Sequence, residues 1–148
     1  MARKKIVKIG LIGCGFYAQN HLHAWRELHT LGTELVAVCD LDPEKAKTAG
    51  DKFGVTWYTD VNQMLNSSAI DLLDIATQMG SHQALAAMAA ERKIASILQK
   101  PLAPTLAESV AIVDLAKRKK VWLAVHENFR FGPGIRRVKE MIGTGAVP

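Results

Sequence analysis

Residues 6–18 read Ile6-Val-Lys-Ile-Gly-Leu-Ile-Gly-Cys-Gly-Phe-Tyr-Ala18, and the order of elements in this stretch decides the fold. Its first half is a short apolar, β-branched run of the kind found in strands buried on both faces. The run ends in glycines. From Ala18 to Leu28 the spacing turns helical, with His21, Trp25 and Leu28 on one face. Between strand and helix lies Gly13-Cys-Gly-Phe-Tyr-Ala18, a G-x-G-x-x-A pattern. Gly13 suits a tight turn, Gly15 lets a pyrophosphate approach the backbone, and Ala18 lets helix and strand pack closely. Phe16 and Tyr17 lead into a helix whose first N–H groups and partial positive charge favour phosphate. Glycines in any strand-to-helix turn can match such a pattern. Its weight here comes from lying between a buried strand and a helix.

Further along, strand and helix signals keep alternating. Leu35–Cys39 is a second buried run, and Asp42-Pro43-Glu44 opens a helix with a capping carboxylate and a proline at the first helical position. That helix is predicted to run to Phe53 and to stop at Gly54. A weak strand follows at Val55–Tyr58, then Asp60 as a helix cap with Gln63 three residues on, a capping-box variant. Leu72–Ala76, Ile94–Leu98 and Val121–Val125 read as strands. Ser81 is placed to cap an alanine-rich helix to Arg92, and Thr105-Leu-Ala-Glu108 is a capping box opening a helix to Lys117. Such a series predicts an α/β fold, a doubly wound parallel sheet of the Rossmann type. After His126 the pattern breaks at Phe131-Gly-Pro-Gly134, and one short amphipathic helix, Ile135–Ile142, precedes Gly143-Thr-Gly145. The expected division is a dinucleotide-binding domain over 1–126. Residues 127–148 would then be a connecting segment and the start of a substrate domain lying beyond this chain.

Asp40 ends the second strand, at about the distance from the glycines expected of a ribose-binding acid. A carboxylate there accepts hydrogen bonds from both ribose hydroxyls and repels a 2′-phosphate. At about 4 Å that repulsion is on the order of 1–4 kcal/mol per unit charge in wet surroundings. Leu41 and Asp42 follow without an arginine, and Lys45 lies a turn into the helix. NAD is therefore expected in preference to NADP.

Composition bounds the remaining classes. In 148 residues, 49% are hydrophobic and 22% charged, the balance of a soluble globular domain. No apolar run approaches the roughly 20 residues that span a bilayer, so no membrane partner is expected. Lys8 interrupts the apolar run that follows Arg3–Lys5, which argues against a signal peptide and for a cytoplasmic protein. Cys14 and Cys39 are too few for a disulfide framework. The net charge of +5 is dispersed over Arg3–Lys5, Lys117–Lys120 and Arg136–Lys139, and no nucleic-acid motif accompanies it, so no nucleic-acid partner is expected. His21, His23 and His29 invite a metal reading. However, His21 and His23 point to different helix faces and no carboxylate or cysteine set completes a site, so no metal is expected. Trp25 and Trp122 read as core or helix–sheet contacts.

Taken together, the chain resembles the Gfo/Idh/MocA family of oxidoreductases, which includes glucose–fructose oxidoreductase and inositol dehydrogenase. The resemblance rests on Gly13–Ala18, Val36–Asp40, Ala76-Thr77 with His82 five residues after Thr77, and Gln99-Lys100-Pro101. It continues in His126-Glu-Asn-Phe-Arg-Phe131 and Ile142-Gly-Thr-Gly-Ala146. It implies hydride transfer between NAD and a sugar, cyclitol or related polyol, with Lys100 reaching the nicotinamide and the substrate hydroxyl. Gln99 stands where the family has glutamate. It keeps an acceptor oxygen but loses the charge, which either lowers the Lys100 pKa or alters cofactor contacts. Gln78 replaces a proline, and with Thr77 it is expected at the cofactor through backbone contacts. His82 is implied near the cofactor, although a first-turn histidine alone reads as packing or capping. Asn128 and Arg130 either reach the nicotinamide side or brace the domain junction. The resemblance also puts an acid/base histidine in the second domain, so this chain alone is expected to be inactive. An exposed sheet lacking its partner domain would favour a homo-oligomer. The rival reading is a non-catalytic NAD-binding sensor or regulatory module, which Gln99 favours and Lys100 opposes.

Overall fold

The computed structural model describes residues 6–146, so the basic cluster Arg3–Lys5 lies outside the described residues. Six strands build one sheet: β1 (Val7–Ile12), β2 (Thr33–Cys39), β3 (Thr56–Tyr58), β4 (Leu72–Ile75), β5 (Ala95–Leu98) and β6 (Leu123–Val125). Five α-helices connect and cover them, α1 (Ala18–Leu28), α2 (Pro43–Phe53), α3 (Val61–Ser67), α4 (His82–Glu91) and α5 (Leu106–Lys119), and among the described residues a sixth, α6 (Pro133–Gly143), follows the last strand. The strand order is β3-β2-β1-β4-β5-β6 with every pairing parallel. The chain thus winds outward one way from β1, returns to β4 and winds out the other way. The carboxyl ends of β1 and β4 flank the switch point, where open α/β sheets bind their ligands.

The period of two along each strand sorts the core into two layers. Leu11 and Val38 pack on one face with Ala18, Leu22 and Ala49 from α1 and α2. Ile12, Ala37, Cys39, Leu73, Ile75 and Leu98 pack on the other with Met64, Ala86, Ala89 and Ile112. A sheet buried on both faces leaves no room for alternating polar residues, hence the continuous apolar strand runs. Asp74 is the buried charged exception among the described strand residues, lying between Leu73 and Ile75 and therefore on the α1 face.

The helix stops act as the sequence predicts in most places. Asp42 accepts from the N–H groups of Glu44 and Lys45, Pro43 starts α2, and Gly54 closes it at φ +69°. Thr105 and Glu108 form both halves of a capping box. Of the variant at Asp60, the bond from Gln63 N to the carboxylate is formed, at 2.7 Å. Ser81 corrects its expectation. It stands before α4 in a helical conformation with no capping bond from its side chain. Its hydroxyl instead donates to Gln78 O at 2.9 Å and meets Thr77 Oγ1 at 2.7 Å. A short 3-10 turn, Met79–Ser81, has already occupied the site where a cap would act. Trp122 is likewise not a core contact, being 57% exposed just before β6. In the tail, α6 buries no residue, and Phe129, Phe131, Ile135, Val138 and Ile142 are all exposed.

Candidate functional site

The glycine turn sits at the carboxyl end of β1 and is fixed by backbone geometry. Gly13 adopts φ +92°, and its N–H donates to Cys39 O at 2.8 Å. A Cβ on Gly13 would lie 2.7 Å from Ala76 O, so glycine is required both for the conformation and for the space. Gly15 is different. A Cβ there would meet nothing within 4 Å, because Gly15 faces an open cleft of about 740 Å³. Beyond it α1 begins at Ala18 with no side-chain cap and no acidic residue in its first turn. Gln19 N and Asn20 N donate to Phe16 O and Tyr17 O at 3.3 and 3.1 Å, so the start of α1 brings the positive end of its dipole to the cleft wall with no acidic side chain to offset it.

Asp40 closes the neighbouring wall. Its Oδ2 accepts from Cys14 N at 2.7 Å and its Oδ1 from Asp42 N at 2.9 Å, so one carboxylate ties the end of β2 to the glycine turn. Each oxygen retains a lone pair for a further donor. Phe16 and Leu41, 94% and 90% exposed, flank the opening. The lining continues through Tyr17, Ala18, Thr77 and Gln78 to Gln99 at the end of β5. Gly80, Ser81, Val61 and Leu85 also contribute, as does Lys45, whose ammonium stands 3.2 Å from Asp42. In the sequence Lys45 lies a turn into the helix. One turn of helix is enough to bring a side chain of that length back to the cleft.

Four expected residues are not brought into the lining. His82 is fully buried, with its ring between the carbonyls of Leu102 and Thr77 at 3.0 and 3.1 Å. It braces the wall from behind and presents no atom to the cleft, which corrects its reading as a cofactor contact. Asn128 and Arg130 lie exposed in a 3-10 turn after β6 (Asn128–Phe131), the Arg130 guanidinium 5.3 Å from the centre of the Phe131 ring. Lys100 follows Gln99 at the exposed end of β5, joined to Pro101 by a cis peptide.

Behind Gln99 lies a polar cluster that sequence reasoning missed. Asp74, 0% exposed, accepts from Trp25 Nε1 at 2.6 Å and from His21 Nδ1 at 2.9 Å. Nε2 of His126 stands 3.6 Å from the same carboxylate. Burial pushes the Asp74 carboxyl up, but His126, His21 and Trp25 outweigh it and hold the group at about 2. On its other side His21 Nε2 meets Gln99 Nε2 at 3.0 Å, and Gln99 Oε1 accepts from Lys100 N at 2.8 Å. The acceptor oxygen expected to face a ligand is thus already turned to the backbone. The cluster also corrects the expectation that no carboxylate joins the histidines: His21, Asp74 and His126 bring three potential ligand atoms within 4.8 Å of one another. The hydrogen bonds nevertheless commit His21 to carrying its proton on Nδ1, the nitrogen that faces Asp74. His23 packs away from the cluster, edge-on against Phe53. What could have flagged the cluster is an aspartate inside an otherwise apolar buried strand.

Under the glycine turn, Cys14 and Cys39 are both buried free thiols, Cys14 Sγ donating to Cys39 O at 3.7 Å. Burial, reinforced by the Asp40 charge, pushes them up to about 12 and about 11. They remain protonated and unreactive.

Against known proteins, residues 7–127 match the family model described as "Oxidoreductase family, NAD-binding Rossmann fold". The chain is 46% identical to a D-apiose dehydrogenase of Paraburkholderia graminis over 97% of its own length and 38% of the relative's. It is 35% identical to an inositol 2-dehydrogenase/D-chiro-inositol 3-dehydrogenase of Lacticaseibacillus casei, covering 96% of this chain and 42% of the relative. A solved oxidoreductase from Agrobacterium radiobacter, in complex with NAD+, L-tartaric acid and magnesium, superposes with a TM-score of 0.87 at 41% identity. That match covers 95% of this chain and 41% of the other. The chain therefore spans about two-fifths of the length of the curated relatives it matches. Among the described residues, no helix is long and apolar enough to cross a membrane.

Proposed function

Because this chain belongs to the Gfo/Idh/MocA oxidoreductase family and forms its NAD-binding Rossmann fold, we propose that its cleft holds NAD for hydride transfer to or from a sugar, cyclitol or related polyol. The observation that carries this reading is the convergence on one cleft of an open Gly15, an uncapped helix start and Asp40. The space that a Cβ at Gly15 would fill is where a pyrophosphate would lie against the backbone, so the residues present fit the cofactor. The positive end of α1 attracts its phosphates, Asp40 accepts from the adenosine ribose hydroxyls, and Thr77 and Gln78 bound the far wall. The nicotinamide supplies the hydride chemistry. Lys100, beyond the carboxyl end of β5, is the residue of this chain proposed to orient the substrate hydroxyl and exchange its proton. The remaining substrate contacts, and a second acid/base group, would come from the further length that the relatives possess.

NAD is proposed in preference to NADP, since Asp40 repels a 2′-phosphate; Lys45 opposes this only partly, being paired with Asp42. Titrating NADH and NADPH by calorimetry at fixed salt tests it. NADH is expected to bind at least tenfold more tightly, a margin of about 1.4 kcal/mol, and Asp40→Ala to narrow the gap. Equal affinities would remove Asp40 from this role. The alternative, a non-catalytic NAD-binding module, draws support from Lys100 lying outside the cleft lining. It requires NAD binding without polyol turnover even in a full-length protein. Cytoplasmic location and homo-oligomerisation are further parts of the proposal. A clean monomer by sedimentation at high concentration would remove the latter.

A further inference from the structure

We propose that His21 is a positioning residue for the β5 end of the cleft, acting through Gln99 on the backbone at Lys100. The inference rests on the reading of the cleft as a dinucleotide site, and it follows from donors and acceptors that dictate one another. The Lys100 N–H is a donor, so the Gln99 atom 2.8 Å away must be oxygen. The other arm of that amide is then NH₂, and the His21 Nε2 it faces at 3.0 Å must offer a lone pair. A neutral imidazole with a lone pair at Nε2 carries its proton on Nδ1, and Nδ1 points at the Asp74 carboxylate at 2.9 Å. Asp74 is held in place by Trp25 and is ionised at all ordinary pH. The order is therefore Asp74, His21, Gln99, Lys100: a buried charge selects the tautomer, the tautomer selects the amide orientation, and the amide holds the chain where the cleft wall ends.

The neutral side chain at position 99 fits this chain of bonds for the same reason. A glutamate there would place oxygen against His21 Nε2 and would demand a proton on both ring nitrogens. Glutamine satisfies the neutral ring. Neither His21 nor Asp74 lines the cleft; of the groups His21 meets, Gln99, through a hydrogen bond, and Tyr17, through an edge-on ring contact at 5.6 Å, do.

Two substitutions separate positioning from packing. In His21→Asn the amide takes the place of Nδ1 and can still donate to Asp74, but nothing reaches Gln99. In His21→Gln the longer side chain places a carbonyl near the Nε2 position, accepting from Gln99 while the Asp74 bond is lost. With positioning, His21→Asn shifts the Lys100 amide and Gln99 side-chain NMR signals and weakens NADH binding about three- to tenfold, the loss of one hydrogen bond. His21→Gln keeps both near wild type. If His21 serves only to satisfy Asp74, the ranking reverses, and that result overturns the proposal. A measurement on the unaltered chain keeps the test independent of variant folding. Histidine ¹⁵N shifts of His21 are expected to show Nδ1 protonated and Nε2 bare, and an Nε2–H tautomer would refute the mechanism. These shifts are read without cofactor, so failure of the wild-type chain to bind NADH would count against the dinucleotide reading alone.

Discussion

The two ends of the cleft are built on different principles. At the glycine-turn end the work is done mostly by backbone: Gly13 folds the chain, Gly15 leaves space, α1 presents the positive end of its dipole, and Asp40 ties two loops together. All of this lies within residues 13–42. At the β5 end the work is done by side chains from α1, β4, β5 and the segment after β6, and His21 and Gln99 are 78 residues apart in sequence. The first end is local in sequence. The second is a buried polar cluster, in which each group depends on its neighbours being satisfied.

That contrast sets the expected sizes of mutational effects. Asp74→Ala should be the most damaging change, because it strands the buried N–H groups of Trp25 and His21 together. A loss of about 3–5 kcal/mol is expected in denaturant unfolding, and a loss below about 1 kcal/mol would show the cluster to be incidental. Gly13→Ala comes next. The substitution meets Ala76 O and a positive φ, and should cost about 1–3 kcal/mol of stability. Gly15→Ala should leave stability within about 0.5 kcal/mol while weakening NADH. If both glycine variants lost stability equally, the distinction between a folding glycine and a binding glycine would fail.

Acid separates the two ends further. The Asp74 carboxyl, held at about 2 against an ordinary 3.8, contributes stability that is fully present above about pH 4. This is lost as the pH falls towards 2, because the unfolded chain takes up the proton first. The shift corresponds to about 2 kcal/mol. Asp74→Asn should flatten that part of the stability curve, and an unchanged slope between pH 4 and 2 would deny Asp74 the role. Smallest is the expected response of the thiols under the glycine turn. With Cys14 and Cys39 raised to about 12 and 11, alkylation at pH 8 should proceed only as fast as the chain opens, and rapid labelling of the folded protein would contradict their burial.

The same contrast explains what was legible in the sequence. The parallel sheet, the caps at Asp42 and Thr105, and the places of Gly13, Gly15 and Asp40 at the cleft follow from short-range pattern, because each depends on a few consecutive residues. His82 misled because a first-turn position tells nothing about whether a ring faces ligand or core. Ser81 misled because a 3-10 turn before α4 took its capping place. The His21–Asp74–Gln99 cluster was hidden because it forms only once β4 and β5 lie side by side behind α1. Its one trace was Asp74 itself, a charge in an apolar strand.

The dinucleotide is expected to occupy the cleft between these two ends, and backbone NMR during an NADH titration tests that most directly. Shifts are expected at Gly15, Phe16 and Asp40, at Thr77 and Gln78, and at Gln99 and Lys100, with His82 and the outer edge at Trp57 little changed. Saturable shifts confined to that outer edge, or none at millimolar NADH, would contradict it.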